Sequence, residues 1–320
     1  MRKSIIIAAI VLTFINANLI LFAPRHIDQP QIVIPEQFEQ PKSKPQPHIS
    51  LKTPAFLTYP TVIEQMRQWE SEADGLVSIK VYGKTSNGTD LYYLRLNNND
   101  TPKPKVLVMS SIHGNEPLAS SVCMAYIGNL LGEYGKSPEI TALIDSRDIY
   151  FVPVVSPDSF PKDESGRGMQ RYIEGVDPNR NFPTKSDPNL QSAQTVKAIE
   201  QLFESEHFNA AISGHTWGRL FLKPWGDSKQ VTANDADYTD ILGKMSQLSG
   251  YQIKPASAIY GKPIIGTEVD WFYRQKAFAI VIEYGTHQKV PTVADIEYEF
   301  GKTYPAVLWF LQAAPETKVK

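Results

Sequence analysis

Among the six histidines of this 320-residue chain, two stand where a metal site could be built. His113 opens the tetrapeptide HGNE directly after the apolar run KVLVMSSI, so His113 and Glu116 lie three apart where a buried strand ends. Open α/β sheets place their ligand sites at the carboxyl ends of strands. Imidazole and carboxylate are both good zinc ligands, and a tight turn at Gly114 lets both face one point. The same four residues also suit an ordinary hydrogen-bonded turn. His215 ends a second apolar run, AAISGH. With the first pair it would complete three ligands and leave one position open, the pattern of catalytic rather than structural zinc. His207, at the start of that run, is expected on the opposite sheet edge.

Two further groups could act on a substrate. GVDPNRNFP, residues 175–183, crowds Asp177, Asn179, Arg180 and Asn181 into a short loop restricted by Pro178 and Pro183. Arginine grips a carboxylate with two parallel hydrogen bonds, and Asn179 could add a neutral donor beside it. A surface turn rich in Asn, Asp and Pro has the same composition. Glu283 ends the run AIVIE. A carboxylate at that depth is either paired, raised in pKa and fit to act as a general base, or a strand-end acid facing solvent.

The elements that must position these residues are legible as alternating patterns. Val62, Met66 and Trp69 have helical spacing, with Thr61 as the expected cap. Val77–Tyr82 and Leu91–Leu96 read as strands around Asn87-Gly88, a strong hairpin signal. Lys105–Ser110, Ile149–Val155, Ala210–Ser213, Leu220–Leu222 and Ala277–Glu283 read as further strands. Helices are expected from Pro117 to about Leu131, over Leu190–Phe203, over Tyr238–Leu248 and over about 294–312. The fold class is therefore α/β: a single domain with a mixed, largely parallel β-sheet flanked by helices.

Composition removes other classes. The chain is 42% hydrophobic and 21% charged, too apolar for disorder throughout. A net charge of −2 gives no electrostatic footprint for nucleic acid. The single cysteine, Cys123, cannot form an intramolecular disulfide. The N-terminal segment places Arg2 and Lys3 before an uncharged stretch from Ser4 to Pro24, the layout of an export signal or a membrane-spanning helix. Pro24, Pro30, Pro35, Pro41, Pro45, Pro47, Pro54 and Pro60 follow, and between Pro35 and Pro47 the sequence PEQFEQPKSKPQP has one aromatic and no aliphatic residue. Such a segment cannot bury enough surface to offset its ordering entropy. The expected organisation is a signal peptide or membrane anchor over 1–23, a Pro-rich disordered tether over 24–54 and a catalytic domain over 55–315. That layout places the domain on the periplasmic or extracellular side, in contact with a membrane only through its N-terminal segment.

Taken together, these residues resemble the zinc carboxypeptidase family, the relatives of pancreatic carboxypeptidases A and B. The resemblance runs from about Tyr59 to Gln312 and keeps the family's motif order. HGNE resembles the His-x-x-Glu zinc pair and SGHTWG the third ligand. VVSPDSF resembles the Asn-Pro-Asp-Gly turn and VDPNRNF the Asp-x-Asn-Arg-Asn segment. IYGKPIIGTEVDWFY resembles the mobile-tyrosine and specificity-pocket segment, and IVIEYG the catalytic glutamate strand. The resemblance implies that one Zn2+ ion is held by His113, Glu116 and His215, with Asp177 orienting His113. Glu283 would take the proton from zinc-bound water and pass it to the leaving amine. Asn179 and Arg180 would hold the free C-terminal carboxylate of a peptide substrate, and Tyr260 would close over the bound residue. Arg171, with Arg167 as the rival, would stabilise the oxyanion. Val269 would form the floor of the specificity pocket.

Asn115 stands where digestive members carry arginine, and the segment between Pro157 and Asp177 is short. Two extra residues separate Tyr260 from Asp270. Valine at 269 implies an apolar or undemanding terminal residue. Glu268 beside it could reach the rim and favour an amine, as trimming of cell-wall peptides would need. A monomer is expected. The competing readings are an aspartoacylase-like zinc deacylase and a non-catalytic tethered domain that binds peptide termini.

Overall fold

A computed structural model describes residues 57–97, 99, 101–259 and 261–319. The expectations for segments 1–23 and 24–54, and for Tyr260, fall outside these residues. Among the described residues no helix is long and apolar enough to cross a membrane.

The most apolar runs form the middle of the sheet. The strands are β1 (Val77–Lys84), β2 (Asp90–Leu96), β3 (Lys105–Ser110), β4 (Asp148–Val152), β5 (Ala210–Thr216), β6 (Leu220–Lys223), β7 (Gln252–Pro255) and β8 (Phe278–Tyr284). Their spatial order is β1-β2-β4-β3-β5-β8-β6-β7. The central four, β4-β3-β5-β8, run parallel, and β6-β7 is a further parallel pair. β1, β2 and the β6–β8 contact are antiparallel. β1 and β2 form the hairpin that Asn87-Gly88 announces.

Alternation along each strand builds two layers. Val106, Val108, Ile212, Ile280 and Ile282 face one core, with α1 (Tyr59–Glu72), α2 (Pro117–Glu133), α3 (Pro138–Ser146), α5 (Asp235–Ser249) and α7 (Val293–Ala313). Leu107, Met109, Ala211, Ala279 and Val281 face the other, with α4 (Gln194–Glu206) and α6 (Glu268–Arg274). Each fully buried aliphatic side chain contributes about 1.5–3 kcal/mol by leaving water. The same alternation sends Ser213, His215 and Glu283 to the α4/α6 side. Register then aligns them, since His215 pairs with Glu283 across β5 and β8.

Several local readings need correction. Thr61 is not the cap of α1: Thr58 is the N-cap, and Thr61 at the third helical position returns a bond to the Thr58 backbone amide at 2.9 Å. Pro60 in the first turn fits this earlier start. α4 begins at Gln194 rather than Leu190, because residues 183–193 form an irregular approach anchored by Asn181 Oδ1, which accepts from the Ala193 amide at 2.6 Å. α3, β7 and α6 have no counterpart in the sequence reading. Each is nine residues or fewer, too short for periodicity to show.

Candidate active site

Parallel strands deliver their carboxyl ends to one edge, and the chemistry-bearing residues collect there. β3 ends at Ser110, and the chain turns through 111–116 into α2, whose N-cap is Glu116. Ser111 Oγ donates to the Glu116 carbonyl at 2.9 Å, and the Glu116 amide donates to the His113 carbonyl at 3.2 Å. Glycine is required inside this turn. A Cβ on Gly114 would lie 2.1 Å from the Ser159 carbonyl oxygen. The close approach aims His113 and Glu116 at the same point.

His113, Glu116 and His215 present one ligand atom each within 4.8 Å of one another. All three residues are essentially excluded from solvent. Glu116 lies between the rings: Oε1 is 2.9 Å from His113 Nδ1, and Oε2 is 2.9 Å from His215 Nδ1. The Thr216 amide donates to Oε2 at 3.2 Å, and Gln288 Nε2 donates to Oε1 at 3.1 Å. Both histidines thus turn Nδ1 inward and Nε2 outward. His113 Nε2 meets Asp177 Oδ1 at 3.0 Å, and His215 Nε2 meets Glu268 Oε1 at 2.7 Å.

The electrostatics call for a cation. Burial alone would raise the Glu116 carboxyl, yet the flanking imidazoles hold it at about 2. Burial likewise favours neutral His215, but Glu116 and Glu268 raise it well above the usual imidazole value, and His113 is raised by Glu116 and Asp177. Three carboxylates thus surround two rings and draw positive charge to the centre, which a divalent metal ion supplies. Two nitrogens and one oxygen, with Nδ1 atoms aimed inward, suit zinc.

Glu283 stands beside this centre. Burial pushes its carboxyl up to about 7, with Glu116 and Glu268 adding and the imidazoles opposing. The 175–183 loop closes the other side. Asp177 caps a three-residue 3-10 turn, its Oδ1 accepting from the Asn179 amide at 3.0 Å. Although burial pushes Asp177 up, the bond to His113 and the charges of Arg171 and Arg180 keep it below the usual carboxylate range. Gly266 must be glycine where this loop meets the 259–267 segment. Its φ is +76°, and a Cβ there would sit 2.6 Å from the Arg180 carbonyl oxygen.

The arginines separate cleanly. Arg171 Nε donates to Asp177 Oδ2 at 2.9 Å, and its guanidinium lies 3.9 Å from Glu116 Oε1. Arg167 is 69% exposed and is taken up by Asp163 at 2.7 Å. Arg180 donates to the Asn179 carbonyl. Asn179 is buried, its Oδ1 accepting from the Glu268 amide at 3.1 Å. Val269 is buried in the α4/α6 layer. His207, exposed, ends α4 at the opposite edge, as the sequence suggests.

Glu268 does not reach a rim. It is fully buried and turned onto His215, because it opens α6 on the sheet-facing side. Sequence reasoning also missed Gln288, which bridges Glu116, the Thr216 carbonyl at 3.3 Å and Asn115 at 3.4 Å. No pattern marks a glutamine in an irregular loop, whereas an acid in the apolar context EVDWF could have been suspected of burial.

Known proteins resemble this chain in sequence and in fold. A zinc carboxypeptidase from Saccharothrix mutabilis subsp. capreolus is 25% identical over 263 residues, covering 68% of this chain and 59% of its own length, so the chain spans about three fifths of that relative. Carboxypeptidase A1 of Sus scrofa is 26% identical, covering 78% of this chain and 67% of its own. Among solved structures, thrombin-activatable fibrinolysis inhibitor superposes with a TM-score of 0.73 at 18% identity, over 81% of this chain and 74% of its own. Carboxypeptidase A from Helicoverpa armigera gives 0.67 at 18% identity, over 81% and 73%. At that identity these two establish the fold alone. The zinc carboxypeptidase family model matches residues 62–306, and the chain belongs to that family.

Proposed function

We propose that this chain is a metallocarboxypeptidase that removes the C-terminal residue of peptides. The observation that carries the reading is the convergence of the His113–Glu116–His215 cluster with Glu283, which lies level with His215 in the β5–β8 ladder. A single Zn2+ ion on the three ligands would supply the Lewis acid that activates water and polarises the scissile carbonyl. Glu283 accepts the proton of the attacking water and delivers it to the departing amine. A carboxyl held near neutrality is suited to both transfers. Arg171, anchored by Asp177 and adjacent to Glu116, offers its guanidinium to the developing oxyanion. Asn179 and Arg180 hold the terminal carboxylate, which fixes the carbonyl under attack.

The resemblance puts Val269 at the floor of the specificity pocket, where valine suits an apolar or undemanding terminal residue, and Glu268, committed to His215, adds no charge at the rim. The test uses the full chain with its metal content measured. Peptides ending in Phe, Leu, Lys and diaminopimelate are assayed as free acids and as C-terminal amides, alongside N-acetyl amino acids. Release of single C-terminal residues from free acids only, with one zinc per chain, is expected. Turnover confined to N-acetyl amino acids would replace the reading with a deacylase, and activity on the diaminopimelate peptides would support cell-wall trimming. Binding without turnover of any substrate would make the chain a peptide-terminus receptor.

A further inference from the structure

His113 has a carboxylate behind it in Asp177, and His215 has one in Glu268. The second arm is the shorter, at 2.7 Å against 3.0 Å, and its carboxylate is the more deeply buried. We infer that Glu268 is the positioning residue for His215: it accepts the Nε2–H, fixes the tautomer, and so turns the Nδ1 lone pair to the metal. The inference rests on the metallopeptidase reading only in needing a metal at the three ligands.

Among the polar contacts at His215 Nε2, the one to Glu268 selects this tautomer. Glu268 Oε1 lies at 2.7 Å, Ser213 Oγ at 3.2 Å and Asn179 Nδ2 at 3.4 Å. The Asn179 amide is oriented by the Glu268 backbone N–H, which must face the oxygen, so the group turned to His215 is NH2. An NH2 cannot accept from Nε2–H, and 3.4 Å is a long contact for donating to a bare nitrogen. Ser213 can at most share the proton. Glu268 is the acceptor with good distance and full charge.

The carboxylate's other oxygen distinguishes this role from a structural one. Glu268 Oε2 is buried and has no hydrogen-bond partner among the described residues. A carboxylate buried for packing alone would be poorly served by one partner. One that faces a ring bound to a divalent cation would have the compensating charge on the far side of that ring. Carboxylate–histidine–metal arms of this kind fix ring orientation and raise ligand basicity, and their loss costs about 10–100-fold in metal affinity.

The experiment measures the zinc dissociation constant by chelator competition for the full chain and for Glu268→Gln and Glu268→Ala, with the visible spectrum of the cobalt-substituted forms. Glu268→Ala is expected to bind zinc about 10–100-fold more weakly and to shift the cobalt bands. Glu268→Gln, whose amide oxygen can still accept from Nε2–H, should keep part of the affinity. An unchanged zinc constant and cobalt spectrum in both variants, with or without a lower unfolding midpoint, would overturn the assignment. So would a native chain with no zinc affinity. If the alanine variant does not fold, the isosteric glutamine variant decides. A native chain that binds zinc, loses affinity on substitution and cleaves no peptide would sink the peptidase reading and leave Glu268 in place.

Discussion

One half of the site stands on strands and the other on loops. His215 and Glu283 occupy paired positions in the ladder between β5 and β8, and His113 and Glu116 follow β3 within six residues. Arg171, Asp177, Asn179 and Arg180 lie on a segment whose regular structure is a single bridge, Ile173 to Val176, and two three-residue 3-10 turns. A ladder fixes its residues against two packed layers, so His215 and Glu283 are set by the same contacts that hold the core. The loop residues are fixed instead by one another: Asp177 joins Arg171, the Asn179 amide and His113. On the proposed reading the chemistry is built on the half tied to the sheet, and substrate is met by the half that can vary without disturbing the core.

The sharpest break of this contrast falls on the strand side. Glu283→Gln should lower kcat about 10²–10⁴-fold, the usual share of a general base, while metal content measured on the same preparation stays at the native level. Native turnover would remove Glu283 from the mechanism. The kcat/KM of the native chain should rise with pH on its acidic limb as Glu283 loses its proton. That limb should lie no higher than about 7, since a bound cation adds to the influences already lowering this carboxyl.

If Arg171 meets the oxyanion and Arg180 the terminal carboxylate, as proposed, the two arginines of the loop side should fail differently. Arg171→Ala removes an oxyanion donor and should cost about 10²–10³-fold in kcat with KM little changed. Arg180→Ala removes a charge-assisted bond to the substrate terminus. A rise in KM of about 10–100-fold is expected, together with loss of the preference for free acids over C-terminal amides. The readout is steady-state kinetics on one peptide in both forms. Identical profiles for the two variants would mean that the loop acts as one unit.

The same division governs what the sequence could disclose. His113, Glu116, His215 and Glu283 were legible because an apolar run followed by a polar residue marks a strand end, and parallel strands end together. The core strands are readable for that reason, and α1 departs from its spacing only at the cap, which is Thr58. Arg171 could not be told from Arg167 by spacing, because what separates them is which carboxylate each meets, Asp177 or Asp163. Glu268 was aimed wrongly because a seven-residue helix has too few turns to show which face is buried. Its burial follows from α6 folding back on β8, the next strand in the chain, and packing on β5, which lies far from it in sequence.

The smallest expected effect on turnover concerns what holds the loops to the sheet. Asp270, fully buried in α6, accepts from the Gly226 amide at 2.8 Å and the Asp227 amide at 2.9 Å, tying the loop after β6 to the helix that carries Glu268. Burial pushes this carboxyl up to about 6, against the two amides, with Asp227 adding and Arg274 opposing. In the unfolded chain it titrates near 3.8. Between these values the folded state binds the proton more tightly, so this group contributes stability at low pH that is lost as pH rises through about 6. The full difference is about 3 kcal/mol. Carboxyls held low, such as Glu116 and Asp295, act in the opposite sense only below the ordinary carboxylate range. Asp270→Asn cannot ionise and can accept through only one side-chain oxygen. It should be less stable than the native chain at pH 4.5 and recover relative to it by pH 6.5, as read by denaturant unfolding of both chains. A stability difference that stays constant across that interval would show that Asp270 does not titrate there. The carboxyl would then ionise in the folded chain as it does in the unfolded one, and the two backbone amides would hold a charge beneath the loop across this interval.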